Sequence, residues 1–126
     1  MMNIENIPQE QFGDTPELAD KLADLIVRGI KTATCSAYDE DKGEVKVGHK
    51  VVVLNSKNNP VCVIETTKID KVPFNKVSDE FAFKEGEGDF SLEFWKKEHE
   101  RFFSANGGFS ENMLLLCEEI KVIHIF

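Results

Sequence analysis

The chain lacks most of the signatures that assign a protein quickly. Its 126 residues include three cysteines, Cys35, Cys62 and Cys117, far apart and without a C-x-x-C pair. Neither a disulfide framework nor a structural zinc site is indicated, and the thiols read as buried or strand-borne. No window approaches the roughly 18 consecutive apolar residues of a membrane span. The opening MMNIENIPQEQ lacks the basic-then-apolar order of a secretory signal. The expectation is a cytoplasmic protein without a membrane partner. There is no P-loop, no G-x-G-x-x-G and no Ser-His-Asp spacing, which leaves NTPase, dinucleotide-binding and serine hydrolase readings unsupported. Repeats, low-complexity tracts and linkers are missing too, so residues 1–126 read as a single domain.

Positive charge is scarce. The formal net charge is −8, unevenly placed. Residues 1–30 carry two basic against six acidic side chains, residues 31–76 eight against six, and residues 77–126 five against eleven. Duplex nucleic acid is bound through many phosphate contacts by basic surfaces, so duplex DNA is a poor partner for this chain. A small nucleoside or a short single strand of RNA remains compatible with the balance.

Several stretches have clear local structure. In FGDTPELADKLADLIVRG, Asp14 or Thr15 suits an N-cap, Pro16 the first helical position and Gly29 the position after the helix end. The spacing predicts a helix over about 16–28 with Leu18, Leu22, Leu25 and Ile26 toward the core. YDEDKGEVKVGHK reads as a polar loop. KVVVLNSKNNPVCVIETTKI holds two β-branched runs around SKNNP, the pattern of a hairpin. NKVSDEFAFKEGEGD suggests a short helix near 77–84 running into an acidic, glycine-punctuated loop. SLEFWKKEHERFF is a second clear helix capped by Asp89 or Ser91, and MLLLCEEIKVIHIF gives one or two closing strands. Few strands are separated by helical crossovers, so the fold class is α+β, a small mainly antiparallel barrel flanked by helices.

The segment RGIKTATCS, residues 28–36, poses the functional question. Thr32, Thr34 and Ser36 share one face of a regular strand, and Lys31 then points the other way. A partnership between Lys31 and Thr34 therefore requires a turn or bulge near 31–33. A hydroxyl beside an amine is a recognised activated arrangement, whereas a solvated polar face is the ordinary reading of Thr32 and Ser36. Lys31 lies near the negative end of a helix dipole, which raises an amine pKa. To act as a base it needs desolvation or a nearby cation, for which Arg28 is the neighbour in sequence. Its other role is a fixed charge holding an anionic oxygen.

Other polar residues extend the candidate set. Glu65 interrupts a Val/Ile strand and belongs either on an open face or inside a cleft. Glu85, Glu87 and Asp89, interleaved with Gly86 and Gly88, could supply a carboxylate whose pKa its neighbours raise, bind a divalent ion, or form a solvated acidic loop; EF-hand spacing is absent and no metal is assigned. Trp95 and His99, one helical turn apart, could stack and hydrogen-bond a base, or belong to a buried helix face. His49 and His124 have no companions.

Taken in order, FGDTPELADKLADLIVRGIKTATCS, VKVGHKVVVL, VCVIETTKID, EGEGDFSLEFWKKEHERFF and MLLLCEEIKVIHIF resemble the ASCH domain family and its PUA-like barrel over about residues 12–126. The element most like the family is Gly29-x-Lys31-Thr32-x-Thr34. Relatives sharing the EGEGD run carry a helix ahead of the Phe-Gly-Asp segment. The resemblance implies a cleft used for RNA-related ligands and no cofactor. In short bacterial members it implies hydrolysis of the amide of N4-acetylcytidine by a Lys, a Thr and a Glu, matched here by Lys31, Thr34 and Glu87, with Glu85 the alternative. Arg28, Thr32, Ser36, Glu65, Glu85, Trp95 and His99 complete the expected ligand-binding set. Other members imply a non-catalytic module for single-stranded RNA, or a metal-dependent ribonuclease.

Overall fold

The computed structural model describes residues 3–42 and 45–126; Gly43 and Glu44, within the expected polar loop, lie outside the described residues. The elements run β1 (Gln9–Gln11), α1 (Pro16–Val27), β2 (Ala33–Ala37), β3 (Lys50–Leu54), β4 (Pro60–Pro73), α2 (Asp79–Glu85), α3 (Leu92–Ala105) and β5 (Leu114–Ile125). One five-stranded sheet has the order β1-β3-β4-β5-β2, parallel between β1 and β3 and antiparallel elsewhere. Strand β4 shifts register against β5 at Val63/Ile64 and again at Thr66/Lys68. Such bulges bend a long strand, and here the sheet curves into a half-barrel with three helices against it. No helix of the described residues is long and apolar enough to cross a membrane.

Capping chemistry sets the helices. The Thr15 hydroxyl accepts from the Leu18 amide at 3.1 Å and Pro16 opens α1; Ser78 and Ser91 cap α2 and α3 in the same way. Helix α1 buries Ala19, Leu22, Ala23 and Ile26, with Leu18 and Leu25 only half-buried. Two alanines on the buried stripe let the helix lie close to the sheet, which rotates the face from the one the leucines alone suggest. Ala23 and Ile26 pack on Val51, Val53, Cys62, Ile64 and Ile120. On the other side of β3 and β4, Val52, Leu54 and Val63 meet Ile4 and Ile7. A third cluster joins α2 and α3 to the far end of the sheet through Phe74, Trp95, Phe103, Leu115 and Cys117.

Backbone crossings then place the loops. After Gly29 (φ +76°) the chain turns back so that the Ile30 and Lys31 amides both donate to the Leu25 carbonyl. The Thr32 amide donates to the Lys84 carbonyl at 2.8 Å, stitching the entry of β2 to the end of α2. At that stitch Gly86 is left-handed (φ +69°), and a Cβ built there would lie 2.5 Å from the Ile30 carbonyl oxygen. Backbone cannot yield as a flexible side chain can. Gly86→Ala is therefore expected to destabilise the protein by at least about 2 kcal/mol, the left-handed penalty plus the clash, read as a lowered urea midpoint. Gly29→Ala, with open space around its Cβ, should cost less, and equal losses would contradict the crossing as the cause.

Candidate functional site

The stitch between β2 and α2 brings Lys31 against the acidic loop. Its Nζ lies 2.6 Å from Glu85 Oε1 and 3.0 Å from Glu87 Oε2, and its side chain is 2 % exposed. Glu85 is equally buried. Its Oε2 accepts from Trp95 Nε1 at 2.8 Å and faces His99 Nε2 at 3.3 Å. The other His99 nitrogen, Nδ1, donates to the Trp95 carbonyl at 2.8 Å, and the two rings stack 4.2 Å apart. Trp95 and His99 thus hold Glu85 from behind while Lys31 holds it from the front. Among the described residues no buried side-chain nitrogen or oxygen lacks a hydrogen-bond partner.

Electrostatics fixes the protonation states. Burial alone would lower the Lys31 pKa, but the two carboxylates outweigh it and keep the ammonium well above its ordinary value. Burial alone would raise the Glu85 pKa, but Lys31 and His99 hold it far below the usual carboxylate range. For His99, burial opposes the proton, yet the bond to Glu85 and the charges of Glu85 and Glu87 leave its pKa raised. The two ion pairs thus favour the charged form of Lys31. Burial and the neighbouring Glu85 charge push the Cys35 thiol well above its ordinary value, so Cys35 is no thiolate nucleophile at neutral pH.

A small cleft of about 70 Å³ opens beside this cluster, bordered by Lys31, Thr34, Cys35, Glu85, Glu87 and His99. Apolar walls come from Phe12, Leu18 and Leu22, and a polar one from Glu98 and Arg101 of α3. By alternation Thr34 and Cys35 point to opposite faces of β2. Strand β2 ends the sheet, and the cleft wraps that free edge, so both residues border it. The turn through residues 29–32 supplies the irregularity that lets Lys31 and Thr34 share a cleft.

The remaining expected residues are dispersed. Arg28 is exposed and pairs with Asp24; it does not border this cleft, and with Lys31 and Thr32 it lines a neighbouring cavity of about 320 Å³. Thr32 is exposed, its hydroxyl 3.4 Å from the Lys84 carbonyl. Ser36 is exposed further along β2. Glu65 lies on β4 between Lys50 and Lys121, at 3.4 and 3.6 Å, a cross-strand ion-pair cluster that does not border the cleft. Trp95 is 2 % exposed, and its stacking face is taken by His99.

Two features have no counterpart in the sequence reading. Arg101 grips Asp14 with both guanidinium nitrogens at 3.1 Å, tying the loop before α1 to α3 across the mouth of the cleft. Arg101 also bonds Glu98, which leaves its guanidinium committed. The second is Glu118, the register partner of Thr34. It accepts from the Thr66 hydroxyl at 2.9 Å, and burial raises its pKa. Neither pairing has a local sequence signal, because the partners lie 87 and 84 residues apart. As for a metal, Cys35, Glu85 and His99 place donor atoms within 4.8 Å of one another. Both Glu85 oxygens are already bonded, one of them to an ammonium, so a divalent ion would meet Lys31 across a single carboxylate.

Removing one member of a buried pair leaves the other charge unpaired, at a cost of about 3–5 kcal/mol. Glu85→Ala is expected to lower unfolding stability by that amount, and Glu87→Ala, whose side chain is 13 % exposed, by less. The pH dependence has a definite sign. The raised His99 pKa contributes stability that is complete below the ordinary value of 6.5 and is lost as pH rises through the folded-state value. The depressed Glu85 pKa contributes stability present above the ordinary 4.5 and lost as pH falls through the folded-state value. Urea midpoints should therefore decline on the alkaline side in the wild type and decline less in His99→Gln; an unchanged slope would exclude His99 as the titrating group.

Comparison with known proteins follows from this geometry. The family model described as ASCH domain matches residues 9–124. The crystal structure of an ASCH domain from Lactobacillus crispatus JV V101 superposes with TM-score 0.88 at 41 % identity, covering 94 % of this chain and 80 % of that one. A protein from Enterococcus faecalis V583, of family DUF984, gives TM-score 0.84 at 36 % identity, with 94 % and 77 % covered. ASCH from Zymomonas mobilis, at 11 % identity, TM-score 0.59 and 94 % and 71 % coverage, shares the fold. No curated protein matches the chain. The match over nearly the whole chain, and relatives above 30 % identity that superpose along it, place the chain in the ASCH domain family, a PUA-like fold associated with RNA binding.

Proposed function

We propose that the protein is an amidohydrolase acting on N4-acylated pyrimidine nucleosides, with Thr34 as nucleophile, Lys31 as fixed oxyanion-stabilising cation and Glu87 as proton carrier. The observation that supports this most is the buried ammonium beside the cleft that Thr34 borders. Attack of the Thr34 oxygen on the amide carbon develops negative charge on the carbonyl oxygen. A cation held in a water-poor site stabilises that charge without reorganising. Glu87 has one oxygen on Lys31. Its other oxygen is not bonded to protein among the described residues, which suits a group that takes the hydroxyl proton and returns it to the leaving amine. Water then breaks the acyl-threonine ester and restores the hydroxyl.

The cleft also suggests a substrate limit. Its 70 Å³ is well below the roughly 300–1,000 Å³ of drug-sized ligand sites, in keeping with an acetyl-sized group and its amide. The pyrimidine and ribose would lie outside, over the edge of β2. Charge points the same way: the cleft borders set Lys31 and Arg101 against Glu85, Glu87 and Glu98, and both cations are already paired.

Incubation with N4-acetylcytidine and longer N4-acyl cytidines, followed by chromatography, tests the proposal. Acetyl is expected to be cleaved fastest, with rates falling as the acyl chain outgrows the cleft. Thr34→Ala should abolish turnover and Thr34→Ser retain part of it, since the attacking oxygen survives. Glu87→Gln should slow the reaction by about 10²–10⁴-fold, the usual worth of positioned proton transfer. Lys31→Ala is a poor discriminator, because it leaves two carboxylates facing each other and its stability loss would mimic a catalytic one. Absence of hydrolysis across the panel by a folded wild type would sink the proposal and leave a non-catalytic RNA-binding module as the reading.

A further inference from the structure

The three cysteines are free thiols, and two of them stand opposite each other in the sheet. Cys35 of β2 is the register partner of Cys117 of β5, in a pairing without a register shift. Hydrogen bonds fix the kind of pair. The Ile120 amide donates to the Thr32 carbonyl and the Tyr38 amide to the Leu114 carbonyl, one at either end of this register. Bonded and unbonded pairs alternate along an antiparallel ladder, so Thr34 with Glu118 and Ser36 with Leu116 are bonded pairs and Cys35 with Cys117 is an unbonded one. In that class the Cα atoms lie about 4.5 Å apart and the side chains approach on one face. This falls within the roughly 4.4–6.8 Å that a disulfide spans without backbone movement. Both thiols also pack in one apolar cluster, with Trp95, Phe103 and Leu115. Cys62 is different: it lies opposite Val53 and Ile125, in the cluster under α1.

We infer that Cys35 and Cys117 are an oxidisable pair that closes to an intrachain disulfide, Cys35 reacting first with a peroxide and Cys117 resolving it. Access decides the order. Cys35 is half-buried and borders the cleft beside Thr34, whereas Cys117 is 5 % exposed. The cleft is far below the roughly 300–1,000 Å³ of drug-sized sites, so the oxidant it admits is a small one, hydrogen peroxide. The Cys35 sulfur attacks one peroxide oxygen; an S–O bond forms, the O–O bond breaks, and the departing hydroxide takes the thiol proton to become water. The Cys117 sulfur then attacks the Cys35 sulfur; the S–S bond forms, the S–O bond breaks, and a second water leaves with the Cys117 proton. Two thiols are oxidised while one peroxide is reduced to two waters. Charge sets the pace. Burial, Glu85 and Cys117 raise the Cys35 pKa against the opposing charge of Lys31, and His99 places a nitrogen within 4.8 Å of the same sulfur. Burial, Glu85, Asp70 and Glu118 push Cys117 up to about 12. The thiolate is the attacking form, so closure is slow at neutral pH and quickens as pH rises. Thiols that ionise with difficulty also leave slowly, so the closed disulfide resists reopening. The inference does not rest on the hydrolysis proposed above.

Peptide mapping of the folded protein after exposure to excess hydrogen peroxide, with the remaining thiols alkylated in denaturant, tests this. The expected product is a monomeric chain lighter by two hydrogens, alkylated at Cys62 alone, that yields a peptide joining Cys35 to Cys117. The closure rate should rise about tenfold per pH unit, as a thiolate population does below its pKa. The oxidised protein should show a higher urea midpoint, because the cross-link closes a long loop of the unfolded chain, and reduction by dithiothreitol should restore the original value. Cys62→Ala should close as the wild type does, whereas Cys35→Ala and Cys117→Ala should not. Mapping of the wild type decides the case even where a core variant folds poorly. The inference is overturned by a protein that keeps all three alkylatable thiols even at mildly alkaline pH, or by a link between chains or through Cys62. It is equally overturned if Cys35 proceeds to the sulfinic acid while Cys117 stays a thiol. A lower urea midpoint on oxidation would overturn it too, since the two strands would then have to distort to close.

Discussion

The pair formed by Lys31 and Glu85 is the constraint on which the rest of the site depends. Each side chain is 2 % exposed, and an isolated charge so deep in a protein is costly enough to neutralise or unfold. Neither happens, because every polar atom finds a partner. Lys31 meets two carboxylates, and Glu85 meets Lys31, the Trp95 indole and the His99 imidazole. With His99 protonated the cluster holds two cations and two anions. Its neutrality explains how four ionisable groups share one buried space.

That neutrality also restricts chemistry. A lysine whose proton is held by two carboxylates gives up basicity and gains permanence, so its use is as a fixed charge. The same bonds occupy both Glu85 oxygens, whereas Glu87, at the edge of the cluster, keeps one oxygen unbonded to protein among the described residues, which is why the proposed reaction uses it. The arrangement is tied to the fold through Gly86, where α2 ends against the backbone of Ile30. One glycine that admits no Cβ thus sets the distance between β2 and the acidic loop, and so the geometry of Lys31.

Much of this architecture was legible in the sequence, for reasons particular to each element. Helix α1 announces itself through Thr15, Pro16 and Gly29, whose conformational roles are local. The hairpin around SKNNP is likewise local. Strand β1 was not legible: Gln9–Gln11 is exposed throughout, and its pairing with Val52–Leu54 is the consequence of a sheet edge formed far away. The 14 residues of β4 form one continuous strand only because bulges let it follow the curvature, a tertiary requirement with no residue signature. Within the site, Lys31 and the two glutamates could be named, yet their burial could not, since a lysine next to Gly29 looks like any surface lysine. Arg28 and Glu65 lie outside the cleft for the converse reason. Each sits beside a plausible partner in sequence or pattern, and each is satisfied elsewhere, by Asp24 and by Lys50 with Lys121.

Strand β2 is the end of the sheet, and the cleft lies against its free edge. Toward α3 it borders a tight cleft in which Lys31, Arg101 and a protonated His99 balance Glu85, Glu87 and Glu98. A chain with an overall acidic balance repels a polyanion from most of its surface, so an anionic ligand is admitted only where that balance is locally reversed. At the cleft it is not reversed, so the ligand proposed above would enter with an uncharged end, beside the Thr34 hydroxyl and the buried Lys31 ammonium.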